Sequence, residues 1–212
     1  ALSSIGLKDQ PPIPPLNLVA DYGGGTMFLL FGVLSALFER SQSGKGQVID
    51  AAMVDGVPAM MGLLHSWQAQ QQWSPQRESN LIDGGAPFYR CYETADGKHL
   101  SVGPLEPKFF AELVEKAGLS KAHLANQNDQ ATWADRRQEY AAVFLSKSRD
   151  EWMAIFDNSD ACVAPVLAMN EVETHPHNAE RETFTRIGNV LQASPAPRFS
   201  RTAADRPKSP TA

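Results

Sequence analysis

Cysteine is nearly absent. Cys91 and Cys162 are the only two in 212 residues, far apart and without a CxxC pair. That argues against a disulfide framework and against a zinc site. It predicts two reduced, partly buried thiols, as in a reducing compartment, and hence a cytoplasmic protein. Basic charge is also short, with 19 Lys and Arg against 24 Asp and Glu and a formal net charge of -5. The basic residues are scattered, so no nucleic-acid surface is expected. Long apolar runs are missing too. The longest, from Met27 to Phe38, is interrupted by Gly32 and Ser35 and closed by Glu39-Arg40. It falls short of the ~18 to 20 residues of a membrane span, so no membrane partner is expected. There is no GxGxxG and no Walker A loop, no internal repeat, and no metal-ligand set, the paired His175 and His177 having no third ligand in view.

What is present suits a globular protein. Hydrophobic residues make up 42% of the chain and charged ones 20%, ordinary values that allow one domain or two small ones. Residues 1 to 16 read as a loop, with Pro11-Pro12-Ile13-Pro14-Pro15 extended. A buried helix is expected from Met27 to Arg40, stopped by Ser43-Gly44-Lys45-Gly46. A strand is expected from Gln47 to Met53 and a second helix over about Val54 to Gln72. Composition shifts at Trp73 to Gly85, read as a linker. Pro87 to Thr94 and Lys98 to Val102 flank Ala95-Asp96-Gly97, a hairpin signal. Pro107 to Ala117 has an apolar face of Phe109, Phe110, Leu113 and Val114, with Pro at its start and Gly118 past its end. Further helices are expected at about Ala131 to Ser146, Arg149 to Asn158 and Asn170 to Arg181. Strands are expected at Ala161 to Leu167 and Phe184 to Leu191, and Ser194 to Ala212 wraps a surface or frays. The class is mixed α/β. Its divisions are 1–72, a linker at 73–85, a small domain at 86–185 and a return segment at 186–212.

The strongest site signal is Asp21-Tyr22-Gly23-Gly24-Gly25-Thr26 at the mouth of the first helix. Three glycines allow close backbone approach and positive φ. A helix start offers N–H groups to an anion or oxyanion, and Asp21 is placed to exchange protons with a group held there. The plain alternative is a helix-capping Asp with a tight turn. Glu106 is the second acid of interest. It precedes Pro107 at a helix start, where the dipole alone favours an acid.

These residues carry a resemblance. Asp21-Tyr-Gly-Gly-Gly-Thr-Met, then Ser35-Ala-Leu-Phe-Glu-Arg40, then Ser43-Gly-Lys-Gly-Gln-Val-Ile-Asp-Ala-Ala-Met53, resemble the signature of type III CoA-transferases and their racemase relatives. Gly85-Ala-Pro-Phe-Tyr-Arg-Cys-Tyr-Glu-Thr-Ala-Asp-Gly-Lys98 and Pro195-Ala-Pro-Arg-Phe-Ser-Arg-Thr202 are closer to the α-methylacyl-CoA racemase branch. The resemblance implies part of a Rossmann-like large domain plus a small α/β domain, in an interlocked homodimer. It implies an acyl-CoA substrate, with coenzyme A as part of that substrate and no other cofactor. Asp21 is implied as one catalytic acid/base, an upstream His as the other, and Glu106 as the residue orienting that His from the second subunit. Gly23, Gly24 and Gly25 are the implied substrate-binding residues. The five His here, His65, His99, His123, His175 and His177, all follow Asp21. The chain is therefore expected to be a C-terminal part that lacks the upstream half and is inactive alone. Two further readings stay open: a CoA transferase with Asp21 as nucleophile, and a non-catalytic fragment.

Overall fold

A computed structural model of the chain describes residues 1–209. It is mixed α/β with two small sheets and divides into two compact units, Ala1–Ala164 and Pro165–Ala212.

The buried apolar core of the first unit lies wholly between Ala86 and Ala161. The hairpin forms where the Asp-Gly signal places it. Strands β1, Arg90–Glu93, and β2, His99–Val102, pair antiparallel with Tyr92 opposite Leu100 and Arg90 opposite Val102. Gly97 takes φ +72° in the turn. Tyr92, Leu100 and Val102 point inward. Helix α4, Pro107–Ala117, has the predicted ends, with Pro at its first turn and Gly118 left-handed after it. Its Phe110, Leu113 and Val114 are buried. Helices α5, Trp133–Phe144, and α6, Arg149–Phe156, add Trp133, Tyr140, Phe144, Trp152 and Phe156. Ser148 opens α6 with a capping box to Glu151. The aromatic rings meet edge to face, Phe88 against Phe110 at 5.4 Å and Phe144 against Trp152 at 5.3 Å between centroids. Each such ring, fully buried, stabilises by roughly 1.5–3 kcal/mol. Strand β3, Val163–Val166, completes a sheet of order β1-β2-β3.

The hairpin turn is clipped to α6. Thr94 Oγ1 donates to Asp96 Oδ1 at 2.6 Å and the Arg149 N–H donates to the same oxygen at 3.0 Å. The Thr94 hydroxyl, ahead of the other contacts, lowers the Asp96 carboxyl from 3.8 to about 2. A carboxylate held below its unfolded value stabilises the fold above that value and loses the contribution as pH falls through the folded one. Stability measured by urea unfolding is thus expected to drop between about pH 4 and 2, and Asp96→Asn to flatten that drop. Parallel profiles for the two proteins would remove Asp96 from the account.

Residues 1–72 are organised differently. A π-helical segment, Leu18–Met27, runs straight into α1, Phe28–Ser43. No residue of α1 is buried, so the expected buried helix is corrected. Phe31, Leu34 and Phe38 are exposed at 72%, 66% and 73%. An all-round apolar helix belongs in a core, and these residues have no core of their own. The helical stretch Leu18–Ser43 has 26 residues and a mean hydropathy of 1.4 in its most apolar window. By length and composition alone it is enough to cross a bilayer. The apolar run from Met27 hid this, because the helix starts at Leu18. The expected strand at Gln47 to Met53 does not form. Residues 47–52 have no regular structure and Met53 opens the next helix, with Val48 96% exposed and Ile49 lying against Gly32. The second helix is two, α2, Met53–Met60, and α3, Gly62–Ala69. Pro58 lies inside α2, where it donates no N–H, and Gly62 follows the break.

Residues 73–85 are an ordered loop. Asn80, 3% exposed, accepts from the Ser74 N–H at 2.7 Å and donates to Asp83 Oδ2 at 2.7 Å. Asp83 Oδ1 accepts the Asn80 N–H at 2.8 Å.

In the second unit the expected helix at Asn170 to Arg181 shortens to α7, Pro176–Glu180, started by its proline. The single strand expected at Phe184 to Leu191 is a hairpin, β4, Phe184–Ile187, and β5, Val190–Ala193, with Ile187 opposite Val190. Gly188, at φ +59°, makes the two-residue turn. Both cysteines are free and exposed rather than partly buried: Cys91 alternates with the inward Tyr92 on β1, and Cys162 precedes β3.

Candidate functional site

Asp21 lies in the middle of the π-helical segment, not in a loop. The Tyr22 N–H donates to the Asn17 carbonyl at 3.2 Å, five residues back. Thr26 Oγ1 donates to the Asp21 carbonyl at 3.0 Å. The element starts at Leu18, so the unpaired N–H groups of its first turn belong to residues before Gly23. The expected glycine loop opening a helix is therefore corrected: Gly23, Gly24 and Gly25 sit inside helical backbone. Widened π turns occur often at functional sites. The Asp21 side chain is exposed.

The glycines serve a close approach to α2. A Cβ on Gly24 would lie 2.6 Å from Val57 Cγ2, and one on Gly56 1.9 Å from the Gly24 carbonyl oxygen. Gly24 and Gly56 are the buried residues of their two elements. Gly56→Ala is expected to destabilise by about 1–3 kcal/mol through this backbone clash, lowering the melting temperature by roughly 2–4 °C per kcal/mol. Gly62, with nothing within 4 Å of its added Cβ, is the control. Equal melting shifts for Gly56→Ala and Gly62→Ala would contradict the packing role.

Gly23 faces a cavity. About 550 Å³ in volume, the cavity is lined mainly by apolar groups, among them Val19, Met60, Met61, Leu64 and Trp73. The residues Ala1 to Gly6 supply part of its wall through Ala1, Ser4, Ile5 and Gly6. That volume lies within the range of ligand sites. A second cavity of about 570 Å³ lies over the small sheet and contains Tyr89, Arg90, Cys91, Ser101 and Cys162. Arg90 is committed there, paired with Glu78 at 3.1 Å and donating to the Gly84 carbonyl at 2.9 Å.

Glu106 is the N-cap residue of α4, yet its side chain accepts no capping hydrogen bond. Its carbonyl accepts the Phe110 N–H at 3.0 Å, while its carboxylate is exposed. The simple capping explanation thus leaves the carboxylate itself unused. Cys162, left-handed at φ +51°, has its thiol pushed up, chiefly by burial and then by the Glu106 carboxylate. Among the described residues no hydrogen bond, ion pair or cavity joins Glu106 to Asp21.

The histidines do not complete a site with Asp21. His123 is buried between Tyr140 OH at 3.3 Å and Glu139 at 3.1 Å. Burial holds its pKa below the usual imidazole value, with Glu139 opposing. His175 caps α7 and His177 lies within it. No group of three or more metal-ligating side chains occurs among the described residues.

The sequence pattern predicts a second helix over about Val54 to Gln72 but carries no sign that Met60, Met61 and Leu64 line the cavity beside Gly23. A helix that is apolar but has no buried side chain is the sign, and only coordinates show it.

The model of CoA-transferase family III matches residues 1–212. Two "Alpha-methylacyl-CoA racemase" proteins are similar, that of Mus musculus at 46% identity over 96% of this chain and 54% of its own length, and that of Homo sapiens at 43% over 96% and 53%. A succinyl-CoA–D-citramalate CoA-transferase of Chloroflexus aurantiacus is 26% identical over 93% of this chain and 51% of its own. The chain spans about half the length of these curated relatives. Among solved structures, the Mycobacterium tuberculosis protein Rv3272 matches with a TM-score of 0.69 at 19% identity, over 97% of this chain and 56% of that one. A CaiB/BaiF family protein of Brucella suis matches at 0.68 and 20%, over 99% and 57%. Both share the fold.

Proposed function

The chain belongs to CoA-transferase family III, and from that membership we propose that it contributes the acid/base Asp21 and an acyl-binding wall to a racemase of 2-methyl-branched acyl-CoA thioesters. The observation that carries this reading is the identity of 43–46% to α-methylacyl-CoA racemases across nearly the whole chain, far above that to the transferase. The apolar cavity lined by Gly23, two residues along the chain from Asp21, supports it, because a branched acyl group needs an apolar wall.

The chemistry follows from the thioester. Its carbonyl delocalises an α-carbanion as an enolate, which makes the α-proton exchangeable. Inversion needs one group to take the proton from one face and another to return it to the opposite face. Asp21 serves one face. The group for the other face is not assigned within this chain, which spans about half the length of its curated relatives. The mechanism calls for no cofactor, coenzyme A being part of the substrate. Gly23 borders the acyl group, while Gly24 and Gly25 bring α2 close enough to present Met60 and Met61.

Residues 1–72 belong, on this reading, to a larger domain. The exposed apolar faces of α1 pack on the rest of that domain rather than on lipid, since Gly24 and Gly56 already tie the helical stretch to α2. Residues 73–85 connect it to a small domain at 86–185, and 186–212 return. The protein is a cytoplasmic homodimer with a shared site.

Racemase and transferase differ in covalent chemistry. A transferase forms an acyl anhydride on Asp21, which hydroxylamine traps as a mass shift on the peptide bearing Asp21. The racemase reading expects no adduct and inversion without an acceptor acid. An adduct on Asp21 would replace this reading with the transferase one.

A further inference from the structure

The N-terminal loop is built, not loose, and one residue builds most of it. Arg77 sits in the ordered 73–85 loop and is half-buried. Its guanidinium donates to three backbone carbonyls about seventy residues away: Nε to Leu7 at 3.2 Å, Nη1 to Ser3 at 3.2 Å and Nη2 to Gln10. The neighbouring Glu78 accepts the Lys8 N–H at 3.1 Å and holds Arg90 at 3.1 Å. Within the loop, the Ile13 N–H donates to the Ile5 carbonyl at 3.1 Å, across Gly6 at φ +120°.

The fastened stretch is the same one that walls the cavity. Ser4, Ile5 and Gly6, which line it opposite Met60 and Leu64, lie between the carbonyls of Ser3 and Leu7. Main-chain carbonyls are acceptors whatever the side chain, so the clamp fixes the path of the backbone and not a particular sequence. A planar guanidinium with a fixed fork of donors can do this, whereas an ammonium bonds as a point charge.

We propose that Arg77 is a positioning residue for the acyl group: by fixing residues 3–10 it sets the far wall of the cavity beside Gly23, and with it the preference for acyl chains long enough to reach that wall. The proposal rests on the racemase reading. With the thioester end placed at Asp21 and the acyl end in the cavity, loosening the wall should cost a long acyl chain apolar contact and leave a short one unaffected.

Trp73 lines the same cavity and provides a readout that needs no turnover. The test uses a protein that carries this chain within the full length of its relatives, and titrates it unsubstituted and as Arg77→Lys and Arg77→Ala with short-chain and long-chain 2-methylacyl-CoA, each brominated at its terminal carbon. Quenching of tryptophan fluorescence is followed, with Trp73→Phe as the control for its origin. Arg77→Ala is expected to weaken long-chain binding at least about tenfold, a discrimination worth one decade in Kd, with short-chain binding unchanged. Arg77→Lys, which keeps the charge and the better chance of folding, should fall between, and proteolysis within residues 1–16 should quicken in the same order. If both chain lengths weaken equally, or neither weakens in either variant, Arg77 does not set the wall. If the unsubstituted full-length protein binds neither acyl-CoA, the racemase reading fails and this proposal with it. Binding by the unsubstituted full-length protein with an unchanged length profile in the variants defeats this proposal alone.

Discussion

Asp21→Asn is expected to slow α-proton exchange by at least about 100-fold, the scale of a lost general acid/base. The assay is deuterium wash-in from solvent at the α-carbon of each enantiomer of a 2-methylacyl-CoA. It uses a protein that carries this chain within the full length of its relatives. Asparagine keeps the shape of the side chain but cannot carry the proton, so little besides chemistry should change. The structure supports that separation. The fold uses the Asp21 backbone, through the hydrogen bond from Thr26 Oγ1, and the exposed carboxylate is not part of any core contact. Circular dichroism and melting temperature should therefore match the parent protein. Exchange at a near-parental rate from both enantiomers would remove Asp21 from the mechanism.

A second large effect is expected from mixing lesions. If Glu106 of one subunit orients the base that works with Asp21 of the other, Asp21→Asn and Glu106→Gln fall in different subunits of the same site. A co-folded heterodimer then holds one site with both lesions and one with neither. Activity of the mixture should recover toward half that of the parent in the heterodimer fraction, while each single variant stays low. The physical motive is the position of Glu106. Its carboxylate sits at the start of α4 without taking up the capping role, and it is exposed. Mixtures no more active than either variant, with heterodimers shown by co-purification through a different affinity tag on each variant, would place the two acids in unrelated roles.

The parts legible in the sequence were those governed by local rules. The Asp-Gly turn and its alternating flanks gave β1 and β2, and Pro107 and Gly118 bounded α4 to the residue, because turn and cap chemistry act over a few positions. The small core followed from the apolar stripes of α4, α5 and α6, which bury against each other within about seventy residues of chain. The Asp21 motif was visible for the same reason, as a short pattern of unusual composition. What was not legible depended on partners far away or outside the chain. Helix α1 was read as buried from its composition, which is right for a core helix, but among the described residues none of its side chains is buried. Val48 and Ile49 read as a strand, and a strand needs a neighbour. The glycine run suggested a ligand loop, whereas the need for glycine at 24 comes from Gly56 and Val57, thirty residues on. Arg77 was one polar residue in a polar stretch. Only the fold shows the carbonyls of Ser3, Leu7 and Gln10 around its guanidinium.

The central claim is inversion at the α-carbon by proton transfer at Asp21. The most direct measurement supplies one pure enantiomer of a 2-methylacyl-CoA in deuterated water, with no acceptor acid, and follows configuration and isotope together. The account predicts that both enantiomers appear, that the inverted product carries deuterium at the α-carbon, and that the acyl-CoA total stays constant. Retained configuration without deuterium, with acyl-CoA consumed only when an acceptor acid is added, would contradict it.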